Sequence, residues 1–138
     1  MLRKEVTFRE LKFTLKAEEA GVAPEIFGYS GHSIAMKKYR WTLATYIEDM
    51  GHPFSGTLKN SIGTLVEKLH TIGILHGDLH PNNIVLNSEE DVKLIDFGSS
   101  YHVEEIDDEV LGTLSKFWGE EVKTVDEALA YEFTMYQY

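Results

Sequence analysis

Two short stretches carry side chains whose types and spacing suit metal-assisted chemistry: His76-Gly77-Asp78-Leu79-His80-Pro81-Asn82-Asn83 and Ile95-Asp96-Phe97-Gly98. Asn83 follows Asp78 by five residues, and Asp96 follows two apolar runs, Ile84-Val85-Leu86 and Val92-Lys93-Leu94-Ile95, that read as a hairpin. Pairing Val85 with Leu94 predicts that Asn83 falls opposite Asp96. A side-chain amide oxygen and a carboxylate would then converge at one end of a rigid ribbon. Hard oxygen ligands on a rigid support suit Mg²⁺ bound to a nucleotide phosphate. Asp78, one loop away, is placed to take a proton from an attacking hydroxyl or to orient it, so the chemistry implied is phosphoryl transfer. Gly98 is expected to let the chain turn sharply after the ligand. His76 reads as a buried brace for the loop ahead of a base. Asp78 with Asn83 alone is also plain turn chemistry, and Asp-Phe-Gly alone is a common tripeptide. The combination carries the reading.

The elements that must position these groups follow from periodicity. A helix is predicted from Phe8 to Ala20: Thr7 and Glu10 form a capping box, Phe8, Leu11 and Leu15 share a face, and Gly21 stops it. Pro24 fixes a turn, Ser33 to Tyr39 reads as a strand, and Thr42 to Asp49 as a short helix. A longer helix spans Thr57 to Ile72, with Leu58, Ile62, Leu65, Val66 and Leu69 on one stripe. Beyond the hairpin, Asp107 to Trp118 and Val125 to Tyr136 look helical. The order is an α+β pattern.

The active-site stretch resembles the kinase-like superfamily, and its wording selects a branch. Gly77 and His80 in "HGDLHPNN" are similar to the aminoglycoside and choline phosphotransferases and the atypical RIO-type kinases; ordinary Ser/Thr kinases carry Arg and Lys there. "FRELKFTLKAEEAGVAPEIFGY" and "IDFGSSYHVEEIDDEVLGTL" resemble the small kinase of the KEOPS tRNA-modifying complex. The resemblance covers most of residues 8–118 and implies a protein-kinase-like fold. That fold would be a small helical C-lobe (residues 39–138) with a catalytic hairpin, and a much reduced N-lobe (residues 1–38) ending at the start of the hinge. It also implies ATP and Mg²⁺, with Asp78 as catalytic base and Asn83 and Asp96 as metal ligands. Glu10 would pair with the lysine that anchors the nucleotide, and His80 would lie at the nucleotide site. Met36, Lys37 and Tyr39 would line the adenine site. A capping role explains Glu10 equally well, and Met36 reads equally as core.

Only seven residues precede Phe8, and no G-x-G-x-x-G occurs. Lys4 is the candidate to stand in for the anchoring lysine, although six residues to Glu10 leave little room for a strand end and a turn. The truncated N-lobe implies exposed strand edges, and so a homodimer or a protein partner. Two functions of different class follow. One is a minimal atypical Mg²⁺/ATP-dependent phosphotransferase acting on a protein or small-molecule hydroxyl. The other is a pseudokinase or C-lobe mimic that binds and regulates a partner.

Composition narrows the rest. The 138 residues are one domain's worth, with 43% hydrophobic and 12% aromatic content. The net charge of −10 argues against binding nucleic acid through bulk phosphate neutralisation. That charge is graded: residues 1–16 carry +3, residues 17–98 carry −5 and residues 99–138 carry −8. The acidic tail is expected to be a solvated helix face. Absence of cysteine excludes disulfides and thiolate sites. No apolar run reaches the roughly 18 residues of a membrane span, and no signal peptide opens the chain, so a soluble cytoplasmic protein is expected.

Overall fold

A computed structural model describes residues 1–138. Strand β1 (Leu2–Glu5) leads into helix α1 (Phe8–Glu19), followed by β2 (Ile26–Ser30) and β3 (Ser33–Met36). These strands form an antiparallel sheet in the order β1-β3-β2, with Lys4 opposite Ile34. The Thr7 hydroxyl caps α1 by accepting from the Glu10 N–H at 3.0 Å, but the predicted capping box is only half formed, because the Glu10 carboxylate is taken by Lys4 rather than by the Thr7 N–H. The predicted strand to Tyr39 stops at Met36, because residues 37–40 leave the sheet as an irregular connection. The expected crowding between Lys4 and Glu10 does not arise. Strand β1 ends at Glu5, two residues make the turn, and α1 begins at Phe8.

After the connection come β4 (Trp41–Thr42), a wide helical turn over Thr45–Asp49, and α2 (Gly56–Thr71). The α2 stripe of Leu58, Ile62, Leu65, Val66 and Leu69 is buried as its periodicity predicts. Strand β5 (Ile74–Leu75) precedes a short turn over Pro81–Asn83, and the hairpin β6 (Ile84–Ser88) and β7 (Asp91–Leu94) follows. Next come β8 (Tyr101–His102), which pairs with β5, then α3 (Asp108–Trp118) and α4 (Val125–Glu132). The last helix is shorter than predicted and ends in turns.

The hairpin register differs by one from the expected pairing. Ile84 faces Leu94 and Val85 faces Lys93, with a bulge between Leu86 and Ser88. Asn83 therefore stands opposite Ile95 rather than Asp96, and the Ile95 N–H donates to the Asn83 carbonyl at 2.9 Å. The extra residue at the bulge sets this register, and alternation of apolar residues does not reveal it.

Burial divides into one large core and two satellites. The large core joins Phe13 and Ala17 of α1 with Leu58, Ile62, Val66 and Leu69 of α2 and with Ile84, Leu86 and Leu94 of the hairpin. A satellite of Val6, Leu11, Ile34 and Met36 lies under the first sheet, and a second binds α3 to α4 around Leu111, Leu114 and Ala128. Nine of the ten acidic residues after Gly98 are exposed, as expected for a solvated face; Glu132 is wholly buried. No helix is long and apolar enough to cross a membrane.

Candidate active site

The loop carrying Asp78 is held from below by a carboxylate. Glu132, on α4, accepts from the backbone N–H of His76 at 3.0 Å through Oε1 and of Gly77 at 2.7 Å through Oε2. Its Oε1 also lies 2.9 Å from His70 Nε2. A buried carboxylate is tolerable only with such a set of donors. The neighbouring carbonyls are satisfied from the other side: Ser100 Oγ donates to His76 O at 2.7 Å and Trp118 Nε1 to Gly77 O at 2.8 Å. Gly77 has φ +93°, and a Cβ there would lie 2.0 Å from the Ser99 carbonyl oxygen. Only glycine fits.

His76 then ties this loop to the hairpin. The Asp78 N–H donates to His76 Nδ1 at 3.2 Å, so that nitrogen carries no proton and Nε2–H donates to Ile95 O at 2.8 Å. The ring is fully buried against Phe97. It acts as the brace its sequence context suggests. The Ile95 peptide is consequently gripped on both sides, by Asn83 O and by His76. Asp96 emerges from that grip with φ +63°, the one left-handed non-glycine residue. Aspartate tolerates this conformation at modest cost. The sharp turn thus belongs to Asp96, and Gly98 serves another purpose. A Cβ on Gly98 would sit 3.3 Å from Asp96 Oδ1 and 3.4 Å from Glu10 Oε1. Its hydrogen leaves room for two carboxylates to approach.

Asn83 is 7% exposed, and its Nδ2 donates to Asp78 O at 2.8 Å and approaches Asp78 Oδ2 at 3.4 Å. With the amide nitrogen so engaged, Oδ1 is the atom left for a cation. His80 accepts from Asn82 N at 3.3 Å through Nδ1, and its Nε2 lies 3.2 Å from Asn83 Nδ2 and 3.4 Å from Asp78 Oδ1. Lys4 Nζ lies 2.7 Å from Glu10 Oε2 and 3.8 Å from Asp96 Oδ1. Of the two roles open to its carboxylate, Glu10 takes the lysine, and only its backbone N–H takes part in the helix cap. The donor set of one amide oxygen and one carboxylate, flanked by an ammonium, fits Mg²⁺ shared with phosphate oxygens.

A cleft of about 310 Å³ opens along the connection between the two sheets. Leu2, Pro24, Lys37, Tyr39, Trp41, Val85 and Ile95 contribute to its walls. Met36 does not: it is 5% exposed and packs in the satellite with Val6, Leu11 and Ile34. Its side chain is core, one of the two readings its sequence context allows, while its backbone stands at the start of the connection. Tyr39 donates to Asp91 at 3.3 Å; burial first, then the Asp91 charge, pushes its hydroxyl up to about 12. A folded value above the unfolded one means that this contribution is complete below about pH 10 and is lost as pH rises towards 12. Tyr39→Phe should therefore flatten the stability profile between those values. A profile of denaturation midpoint against pH that retains the same alkaline fall would contradict this.

Comparison with known proteins bears on the same segment. Residues 54–122, which include Asp78, Asn83 and Asp96, match the protein kinase domain family. The chain belongs to that family. Within it, the chain is 38% identical over 97 residues to the EKC/KEOPS complex subunit BUD32 of Encephalitozoon cuniculi, covering 69% of this chain and 47% of that protein. It is 30% identical over 101 residues to the probable serine/threonine-protein kinase BUD32 homolog of Archaeoglobus fulgidus, covering 72% and 48%. It is 35% identical over 74 residues to the serine/threonine-protein kinase rio2 of Dictyostelium discoideum, covering 54% and 14%. The relatives place this chain in the atypical branch of that family. Its matched segment spans about half the length of the BUD32 proteins and less of rio2.

Within this fold, Lys4, Glu10 and Asp96 meet, and Asp78, Asn83 and His80 form a second group. Lys37 and Tyr39 lie along the adjoining cleft. Sequence reasoning missed Glu132 and Trp118. The signal for Glu132 was a carboxylate on the apolar stripe Val125, Ala128, Leu129, Tyr136, where every other member is hydrophobic.

Proposed function

We propose that this chain is a minimal, atypical Mg²⁺- and ATP-dependent phosphotransferase acting on a hydroxyl. The observation that supports it most is the convergence of Lys4, Glu10 and Asp96, with Nζ 2.7 Å from one carboxylate and 3.8 Å from the other. A lysine fixed between two acids is arranged to receive phosphate oxygens. The Tyr39 and Trp41 rings and the aliphatic Leu2, Val85 and Ile95 on the cleft walls suit a purine. Asn83 Oδ1 and the Asp96 carboxylate would hold Mg²⁺, which neutralises charge on the phosphates when bound. The Asp78 carboxylate would orient the acceptor hydroxyl and take its proton as the γ-phosphoryl leaves ADP. Asn83 Nδ2 anchors the Asp78 loop from one side, with the His80 ring beside it. Residues 1–38 would serve as the N-lobe side of the cleft and residues 39–138 as the C-lobe side.

A second reading, that of a binding module, is favoured by one observation. The outer face of the first sheet exposes Phe27 and Tyr29 to 54% and 58% beside Arg3 and Ala35, around a shallow depression. Such a patch suits a protein partner, and two of the relatives cited above carry the BUD32 name, one of them as a complex subunit.

Mg-ATP separates the two. At 100 times Kd it should stabilise the fold by about 2.7 kcal/mol, a rise of several degrees in Tm. Asp96→Ala should remove ATP turnover and most of that rise, since one electrostatic stabiliser is worth on the order of 10²–10³ in rate. Normal turnover by Asp96→Ala would sink the assignment. No thermal shift in the wild type, with a partner retained equally by Asp78→Asn and Asp96→Ala, would instead establish the binding module.

A further inference from the structure

The hairpin's departure from regular pairing has a use. Leu86 faces Val92 and Ser88 faces Asp91, so Asn87 is the extra residue of the bulge and has no partner on β7. A bulge re-aims the side chain it carries. Here Asn87 turns to the connection that walls the cleft, and its Oδ1 accepts from the Arg40 N–H at 2.9 Å. Strand β4 pairs with β6 only as far as Trp41 opposite Leu86, and Arg40 is the next residue out. The Asn87 amide thus extends that ladder by one bond, made by a side chain. Its Nδ2 donates to Asp91 Oδ2 at 3.3 Å, and Asp91 Oδ1 accepts from the Tyr39 hydroxyl at 3.3 Å. One amide and one carboxylate, both half-buried, therefore hold two consecutive residues of the connection.

The start of the connection is tied separately. The Lys37 N–H donates to Glu25 O at 2.8 Å, and Lys37 Nζ lies 5.4 Å from the centre of the Tyr39 ring. At its end the Arg40 guanidinium packs 4.5 Å from the centre of the Trp41 ring. On the reading of the cleft as a nucleotide site, we propose that Asn87, aimed by the bulge and braced by Asp91, is a positioning residue. It fixes the course of residues 39–41 and so places Tyr39 and Trp41 on the cleft wall. Neither Asn87 nor Asp91 belongs to the groups that would hold phosphate or metal, so their effect falls on the base end of the ligand and not on the chemistry. The anchor makes a definite demand on hydrogen-bonding atoms. The Arg40 N–H needs an oxygen at position 87 and the Tyr39 hydroxyl needs one at position 91, while the N–H that joins the two side chains can sit on either of them.

Exchanging the amide and the carboxylate in the full chain tests this. Asn87→Leu removes both bonds of the amide, and Asn87→Asp alone sets two carboxylates against each other. Asn87→Asp combined with Asp91→Asn restores the set: the carboxylate accepts from the Arg40 N–H, and the amide donates to it while its own oxygen accepts from Tyr39. Solvent exchange of the Arg40 amide, read by NMR, should quicken about tenfold in Asn87→Leu and return to within about twofold of wild type in the paired variant. The Kd values for Mg-ATP and for adenosine should both rise about fivefold in Asn87→Leu and in Asn87→Asp, the order of one lost hydrogen bond, with kcat changed by less than about twofold. The paired variant should recover both. If Asn87→Leu folds poorly, Asn87→Asp and the paired variant carry the same comparison. Adenosine has no phosphate, so equal losses locate the effect at the base end. An unchanged Arg40 amide in Asn87→Leu overturns the anchor. So do unchanged Kd values beside a quickened amide, a loss for Mg-ATP that adenosine does not share, or a paired variant no better than Asn87→Asp. An Arg40 amide that quickens and is then restored, in a protein that binds neither ligand in any form, supports the anchor and overturns the nucleotide reading alone.

Discussion

Replacing Glu132 with alanine is expected to lower the melting temperature by on the order of 10–20 °C, the equivalent of about 3–5 kcal/mol for a chain of this size. The carboxylate is fully buried and is the acceptor for two backbone N–H groups and the partner of His70. Removing it leaves the His76 and Gly77 N–H groups without acceptors in a region that water does not reach, and each such group costs about 1–3 kcal/mol. Since small domains are stable by only about 5–15 kcal/mol, the loss is a large share of the whole. Glu132→Gln keeps an oxygen for one N–H but turns an amide nitrogen toward the other, so an intermediate fall is expected. Thermal denaturation followed by circular dichroism measures both. An alanine variant melting within a degree or two of the wild type would show that the loop does not lean on α4.

The second large effect is expected at Gly77. With φ at +93° and the Ser99 oxygen 2.0 Å from where a Cβ would sit, alanine cannot enter without moving the backbone on one side. Backbone strain and overpacking together amount to about 2–5 kcal/mol. The displacement falls between Asp78 and the Asp96-Phe97-Gly98 segment, the two groups whose separation the chemistry depends on. A misplacement near 1 Å lowers rates by about 10²-fold, so ATP turnover by Gly77→Ala should fall by at least that factor even in the fraction that remains folded. Gly112, with open space around it in the middle of α3, is the control: alanine there should stabilise by about 0.5–1 kcal/mol. Equal turnover by wild type and Gly77→Ala would refute the steric account.

What could be read from the sequence, and what could not, divides along the range of the interactions. Helices α1, α2 and α3 are legible because capping residues and apolar stripes are local: Thr7, Ser55 and Asp107 each accept the bond their position implies. The closeness of Asp78 and Asn83 is legible because one short loop joins them ahead of the hairpin. The register is not, since the bulge after Leu86 shifts it without altering the pattern of apolar residues. Strands β1 and β2 escape because their residues are largely exposed and β2 carries a bulge, leaving no clean alternation. Lys4 is undervalued for the same reason: a strand that does not announce itself gives no measure of the space before Glu10. Glu132 and Trp118 act across 41 to 56 residues of sequence, a separation at which single-chain patterning carries no signal.

The root of α1 has a mechanical meaning. At its C-terminal end, Val22 O accepts from Leu94 N at 2.9 Å and Gly21 O from Lys93 Nζ at 2.6 Å, while Phe13 and Ala17 share the core of α2 and the hairpin. The rear of this helix therefore travels with the larger body of the protein. If residues 37–40 flex, the part that swings is the three-stranded sheet, pivoting over the front turn of a helix that stays behind. Opening and closing then resemble a lid sliding on a fixed post more than two jaws parting. The lysine rides on the lid and the glutamate on the post, so their ion pair is the contact that reports closure.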